Sequence, residues 1–194
     1  MLTTYRNGRV RKLAESLRRH GVPEETAAAV LEGGEALPGT PRPEITTAWM
    51  RGAMERMDAL LDSDTRRDVR EACACCLGGK RLQLSRAIAR DHATFEDRLA
   101  AANRTPFVFG HSVTQEPDGR VLVCFAPEGL PEYRCVCLRG AKEPISPTYC
   151  QCCGGHIKHH LQIALGRKLE CEVRSSALAS GGREVCSFRY RVLG

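Results

Sequence analysis

Two stretches of the chain share one shape. Cys73-Ala74-Cys75-Cys76 runs into Gly78-Gly79-Lys80, and Cys150-Gln151-Cys152-Cys153 runs into Gly154-Gly155-His156. Each places three thiols beside backbone that another segment can approach closely, because glycine has no Cβ. The chain carries 11 cysteines in 194 residues. That odd number, with no secretory-type apolar segment in MLTTYRNGRVRK, favours metal or thiol chemistry in a reducing compartment over a disulfide framework. The expected location is cytoplasmic.

Charge excludes some alternatives. The net charge is +6, but it is spread along the chain instead of being gathered on one stripe, as a nucleic-acid binder would have it. The local basic excess at Arg6, Arg9, Arg11, Lys12, Arg18 and Arg19 reads as a solvated helix face, so nucleic acid is not the expected partner. No run approaches the ~20 apolar residues needed to span a bilayer, so no membrane partner is expected. There is no Walker loop, G-x-G-x-x-G, H-E-x-x-H or G-x-S-x-G.

Periodicity predicts helices first and strands later. Val10, Leu13 and Leu17 form one stripe over 9–20, and Ala27, Val30 and Leu31 another over 23–32, with Pro23 in a first turn. The Gly- and Pro-rich stretch 33–44 reads as a linker. This divides the chain into a helical appendage and linker, 1–45, and a cysteine-rich α+β metal-binding domain, 46–194. A helix from about Thr47 has the face Met50, Ala53, Met54, Met57, Leu60 and Leu61. The next, capped by Asp62 or Ser63, has the stripe Val69, Ala72, Cys73 and Cys76 and is ended by Gly78-Gly79. Two more helices are expected over 81–90 and 94–102.

From residue 106 the period changes to alternation. FVFGHSV and RVLVCFA read as a hairpin through Pro117-Asp118-Gly119, and YRCVCL as a third strand. An amphipathic helix follows the second cysteine cluster, with Ile157, Leu161, Ala164 and Leu165 inward. LECEV and EVCSFRYRV close the chain as strands. The fold class expected is α+β, a helical N-terminal half followed by an antiparallel sheet with a packed helix.

Cys124, Cys171 and Cys186 lie within these strands and read as small buried hydrophobes. The clustered cysteines are different. Cys150, Cys152 and Cys153 precede a helix, where free N–H groups and the dipole favour thiolate. Together with Cys73 and Cys76, and with Cys135 and Cys137 between, they can surround one soft metal centre. Four thiolates suffice for zinc or for an iron–sulfur cluster. The candidate metal ligands are therefore Cys73, Cys76, Cys150, Cys152 and Cys153. His156, His159 and His160 read as the wet face of their helix. A nucleophile pair of Cys152 or Cys153 with His156 or His111 is the catalytic alternative.

The segment from Cys150 to Phe188 resembles the end of a 4-vinyl reductase domain. Cys152, Leu165-Gly166-Arg167 and Cys186 match that family's first cysteine, helix end and last cysteine. The resemblance implies a 4-vinyl-reductase-like fold, with a structural zinc beside a pocket for an aromatic effector. The family's remaining two ligand positions fall on Ser175 and Leu178, so other cysteines would have to complete the set. Leu61-Asp62, Thr65-Arg66, Cys73, Pro144-Ile145-Ser146, Thr148-Tyr149-Cys150 and Cys186-Ser187-Phe188 also resemble, in order, a group of cysteine-rich bacterial proteins. The Cys-x-Phe ending is distantly similar to amino-thiazoline carboxylate hydrolases. The function expected is metal binding, zinc or iron–sulfur, with a small-molecule binding or sensing role. The alternative is a cysteine- or metal-dependent hydrolase or redox enzyme. A small-molecule ligand is the expected partner, and a homodimer through the N-terminal 45 residues stays open.

Overall fold

The computed structural model describes residues 5–193. The helices come first. Asn7 caps α1 (Gly8–Arg19) by accepting from the Arg9 and Val10 N–H groups, and Val10, Leu13 and Leu17 are buried as their spacing requires. α2 (Glu24–Val30) follows, with Pro23 as its cap residue. The stretch expected as a linker holds a 3-10 turn, Gly34–Ala36. The residues described from 1–45 pack into the same hydrophobic core as the rest of the chain.

α3 (Pro43–Leu60) starts four residues earlier than expected, because Pro43 sits at its first position, where a missing N–H costs nothing. Met50, Ala53, Met54 and Met57 are buried in the core, while Leu60, the last residue of α3, is exposed. Asp62 caps α4 (Ser63–Glu71). α5 (Gly79–Asp91) and α6 (Phe95–Asn103) lie where the sequence places them.

Two expected strand regions differ. Pro106–Phe109 forms a short helix, α7, ended by Gly110 at φ +94°. A Cβ at Gly110 would lie 3.0 Å from the Cys124 carbonyl, so the chain turns there beneath the sheet, and β1 is only Ser112–Gln115. β1 pairs with β2 (Val121–Cys124) through the expected hairpin. YRCVCL forms no strand: it is irregular and bends at Val136–Cys137. The place beside β2 is taken by the last strand, β4 (Ser187–Leu193), which also pairs with β3 (Lys168–Ser175). The sheet is antiparallel, in the order β1-β2-β4-β3.

α8 (Gln151–Leu165) packs on this sheet. Ile157, Leu161, Ala164 and Leu165 are buried as expected, and so is His160. The described chain is thus α+β, and none of its helices is long and apolar enough to cross a membrane.

Candidate functional site

The two glycines after Cys153 fix the position of α8. A Cβ on Gly154 would lie 2.6 Å from Cys171 Sγ, and one on Gly155 would lie 2.5 Å from the Glu71 carbonyl oxygen. The first turn of α8 is therefore held between the sheet and the end of α4. The Tyr190 hydroxyl donates to the Gly154 carbonyl at 3.0 Å, and Lys158 pairs with the largely buried Glu71 at 2.6 Å.

That contact also corrects the expectation for the first cysteine cluster. α4 does not run on to Gly78 but ends at Glu71, and residues 73–76 leave it in turn-like backbone, with Cys76 at φ +60°. α8 occupies the space beyond. Its histidines hold the departing chain: His156 Nδ1 lies 2.8 Å from the Cys75 carbonyl and His160 Nε2 lies 3.1 Å from the Cys76 carbonyl. A carbonyl only accepts, so both ring nitrogens donate. His160 also meets Ser85 Oγ at 3.0 Å. Its role is structural, contrary to the wet-face reading.

The result is a cavity of about 670 Å³ between α1, the end of α4, α8 and the 133–138 loop. Cys73, Cys75, Cys76, Cys137, Cys152 and Cys153 line it, with Arg9, Lys12, Arg70, Arg81 and His156. Among the described residues, no carboxylate lines it. Four of the five expected ligands thus meet in one place. Cys150 does not line the cavity. It is 2% exposed and its sulfur lies 3.0 Å from Ser176 Oγ. Cys186, which the Ala177 N–H reaches at 3.4 Å, lies on the same side, and the two thiols titrate together. Cys186 is therefore grouped with Cys150 and not with Cys152.

A second depression, about 510 Å³, lies against β3 and β4 and is lined by five arginines. Each is matched: Arg66 to Asp58, Arg67 to Asp64, Arg120 to Asp118, Arg189 to Glu116 and Arg191 to Glu170. It offers no unpaired charge. The cysteine cavity does. Arg70 is 3% exposed and lies over the Tyr149 ring, 5.0 Å from its centroid. It donates through Nη2 to the Tyr149 carbonyl at 3.0 Å, while its buried Nε has no partner among the described residues. Burial pushes this guanidinium down, but Cys152, Cys73, Tyr149 and Cys153 outweigh it and its pKa ends above the ordinary value. Arg9 reaches the Tyr149 hydroxyl at 3.0 Å and the Cys137 carbonyl at 2.9 Å. Lys12 donates to the Ala74 carbonyl.

No family model, no curated protein and no solved structure matches the chain. The chemistry of the cavity must be read from its own groups.

The thiols interact pairwise. Cys137 and Cys153 sulfurs are 3.5 Å apart. Hydrogen bonds from the Cys135 and Cys153 thiols bring Cys137 down to about 3, against burial and with help from Arg9. A hydrogen bond from Cys153 brings Cys152 down to about 7, again against burial and with Arg70 assisting. Cys153 has one proton to share between them and is itself pushed well up. Cys152 and Cys153 do not lie in a loop ahead of the helix, as expected, but within the first turn of α8, which continues directly from the 3-10 turn Pro147–Cys150. Burial pushes Cys73 up and Cys75 up to about 11. Burial, then His160, brings His156 down to about 4. With Nδ1–H donated to Cys75, a neutral His156 keeps its lone pair on Nε2.

The cavity thus gathers thiols that share protons, with Cys137 and Cys152 the two held below the ordinary thiol range, beside the neutral imidazole of His156. These are soft donors of the kind that hold zinc or iron. Among the described residues, no group of three His, Cys, Asp or Glu side chains is arranged to hold a metal ion as it stands. Arg70, which carries no expected role in the sequence, and Cys137, which the sequence places only between the clusters, also line the cavity. Arg70 lies three residues before Cys73 and next to Val69, and Val69 and Arg70 are the buried residues of α4. A charge there was the available signal.

Proposed function

We propose that the chain is a cytoplasmic protein that binds a soft metal centre, zinc or iron–sulfur, through thiolates of this cavity, beside room for a small molecule that it binds or senses. One observation carries the reading. Arg70 is buried without a carboxylate partner among the described residues and faces Cys73, Cys152 and Cys153. A buried cation needs an opposite charge, and thiolates held by a metal are the anions this cavity can supply. Cys73, Cys76, Cys137, Cys152 and Cys153 would hold the centre, which supplies charge and, for iron, electron exchange when bound. The Cys137–Cys153 pair is already close. The thiols of 73–76 would turn inward to join it, and their non-helical backbone leaves them room to do so. The likeness of Cys152 and the α8 end to the 4-vinyl reductase pattern agrees with a thiolate at this position.

The test is zinc and iron analysis, with a visible spectrum, on protein purified without oxygen. About one zinc in a colourless sample, or several irons with a broad absorption in the blue, is the expected result. A metal-free protein that takes up neither zinc nor iron overturns the reading.

A second reading has its own observation: Cys152, low in pKa, and neutral His156 lie one helical turn apart on α8. A nucleophile and an imidazole on one helix face of the same cavity are what a small cysteine hydrolase or redox catalyst would use. It predicts that Cys152 alkylates faster than every other thiol in metal-free protein. Uniform, slow alkylation contradicts it.

A further inference from the structure

The thiols account for only part of the cavity. Its volume of about 670 Å³ exceeds what a metal and its sulfurs fill, and lies within the range of small-molecule sites. Arg81 stands on the His156 side, where that imidazole feels its charge. Its Nε is buried with no partner among the described residues, and its guanidinium lies 4.3 Å from the centroid of the Phe107 ring. Lys12 lines the cavity from α1. Phe107 is 51% exposed and Val136 59% exposed, so the rim is apolar as well as cationic. The other large depression of this molecule shows what an arginine-lined surface looks like when its charge is already matched. Here no lining carboxylate matches it. A guanidinium stacked on a ring, with its edge free, is pre-organised for an oxyanion.

We propose that the cavity binds a small organic anion, a carboxylate or a phosphate monoester with a flat apolar body. Its acid group meets Arg81, with Lys12 adding charge, and its body lies against Phe107 and Val136. The proposal rests on the reading of this cavity as a small-molecule pocket, and it holds whether or not a metal occupies the thiols.

The test is isothermal titration of protein of known metal content with benzoate, phenyl phosphate and uncharged benzamide. At least one anion binds at one site per chain, and benzamide binds at least tenfold more weakly. Whichever anion binds tighter identifies the head group. Arg81→Gln weakens anion binding at least tenfold, with metal content and melting temperature unchanged. Benzamide binding as tightly as the anions, or Arg81→Gln binding them as the parent does, overturns the proposal. The comparison of charged with uncharged probes stands even if the variant fails to fold. No heat from either anion, in protein that holds its metal, rejects the anion site and leaves the thiolate centre standing. Anion binding by a protein that takes up no metal does the reverse.

Discussion

The two Cys-x-Cys-Cys segments look alike in sequence and are built differently. The second forms the first turn of α8, and its glycines are wedged against Cys171 and Glu71. The first is non-helical, with Cys75 and Cys76 exposed and Cys76 in left-handed backbone. Its glycines meet nothing: no atom lies within 4 Å of a Cβ built on Gly78 or Gly79. One pair of glycines permits close packing, and the other merely lets the chain turn into α5. A repeated motif can therefore deliver a rigid wall and an adaptable one to the same cavity.

The largest expected effect breaks the rigid side. Gly155→Ala drives a methyl into the Glu71 carbonyl, which belongs to backbone and cannot swing away. We expect a loss of about 3 kcal/mol in denaturant unfolding. Gly78→Ala, its counterpart, should change stability by no more than about 0.5 kcal/mol. Equal costs would end the distinction between the segments.

The next effect concerns the imidazole that ties them together. Burial holds His156 down to about 4 in the folded chain, below the ordinary histidine value of about 6.5. Between those values the unfolded chain binds the extra proton, so stability falls as pH drops from about 6.5 to 4 and is unaffected above. The contribution is on the order of 2 kcal/mol after allowing for partial exposure. His156→Gln should flatten that part of the stability curve. An unchanged slope would show that the imidazole is not what senses acid there.

The smallest effect lies in the adaptable segment. Cys76→Gly relieves a left-handed residue at a cost in chain entropy, and the net change should stay under about 1 kcal/mol. A loss of several kcal/mol would mean that Cys76 is packed as firmly as Cys153.

Much of this arrangement can be read from the residues. The stripe of α1, the methionine face of α3, the Pro-Asp-Gly hairpin and the alternation of β4 follow local periodicity, and the folded chain keeps them. The convergence of Cys73, Cys76, Cys152 and Cys153 follows from cluster chemistry. Other features depend on contacts distant in sequence. Nothing local stops α4 at Glu71; the stop is Gly155, 84 residues later, with two histidines that take the next carbonyls. YRCVCL alternates like a strand, yet β4 holds the edge of β2 that β1 leaves open, so the segment stays irregular and its Cys137 lines the cavity instead. Cys150 sits beside Cys152 in sequence but packs the other way, toward Ser176 and Cys186. Arg70 follows the buried Val69 in the sequence, but only the folded chain brings Tyr149 and Cys152 against it.

In the proposed centre both segments supply thiolates, and Cys150 stands apart. Zinc and iron per chain, measured on anaerobically purified Cys76→Ser, Cys150→Ser, Cys152→Ser and Cys153→Ser proteins, tests it most directly. We predict that Cys152→Ser and Cys153→Ser lose most of their metal, that Cys76→Ser loses part of it, and that Cys150→Ser keeps its full complement while melting at a lower temperature. Metal lost from Cys150→Ser but kept by Cys152→Ser would contradict the account and move the centre to the Cys150–Cys186 side of α8.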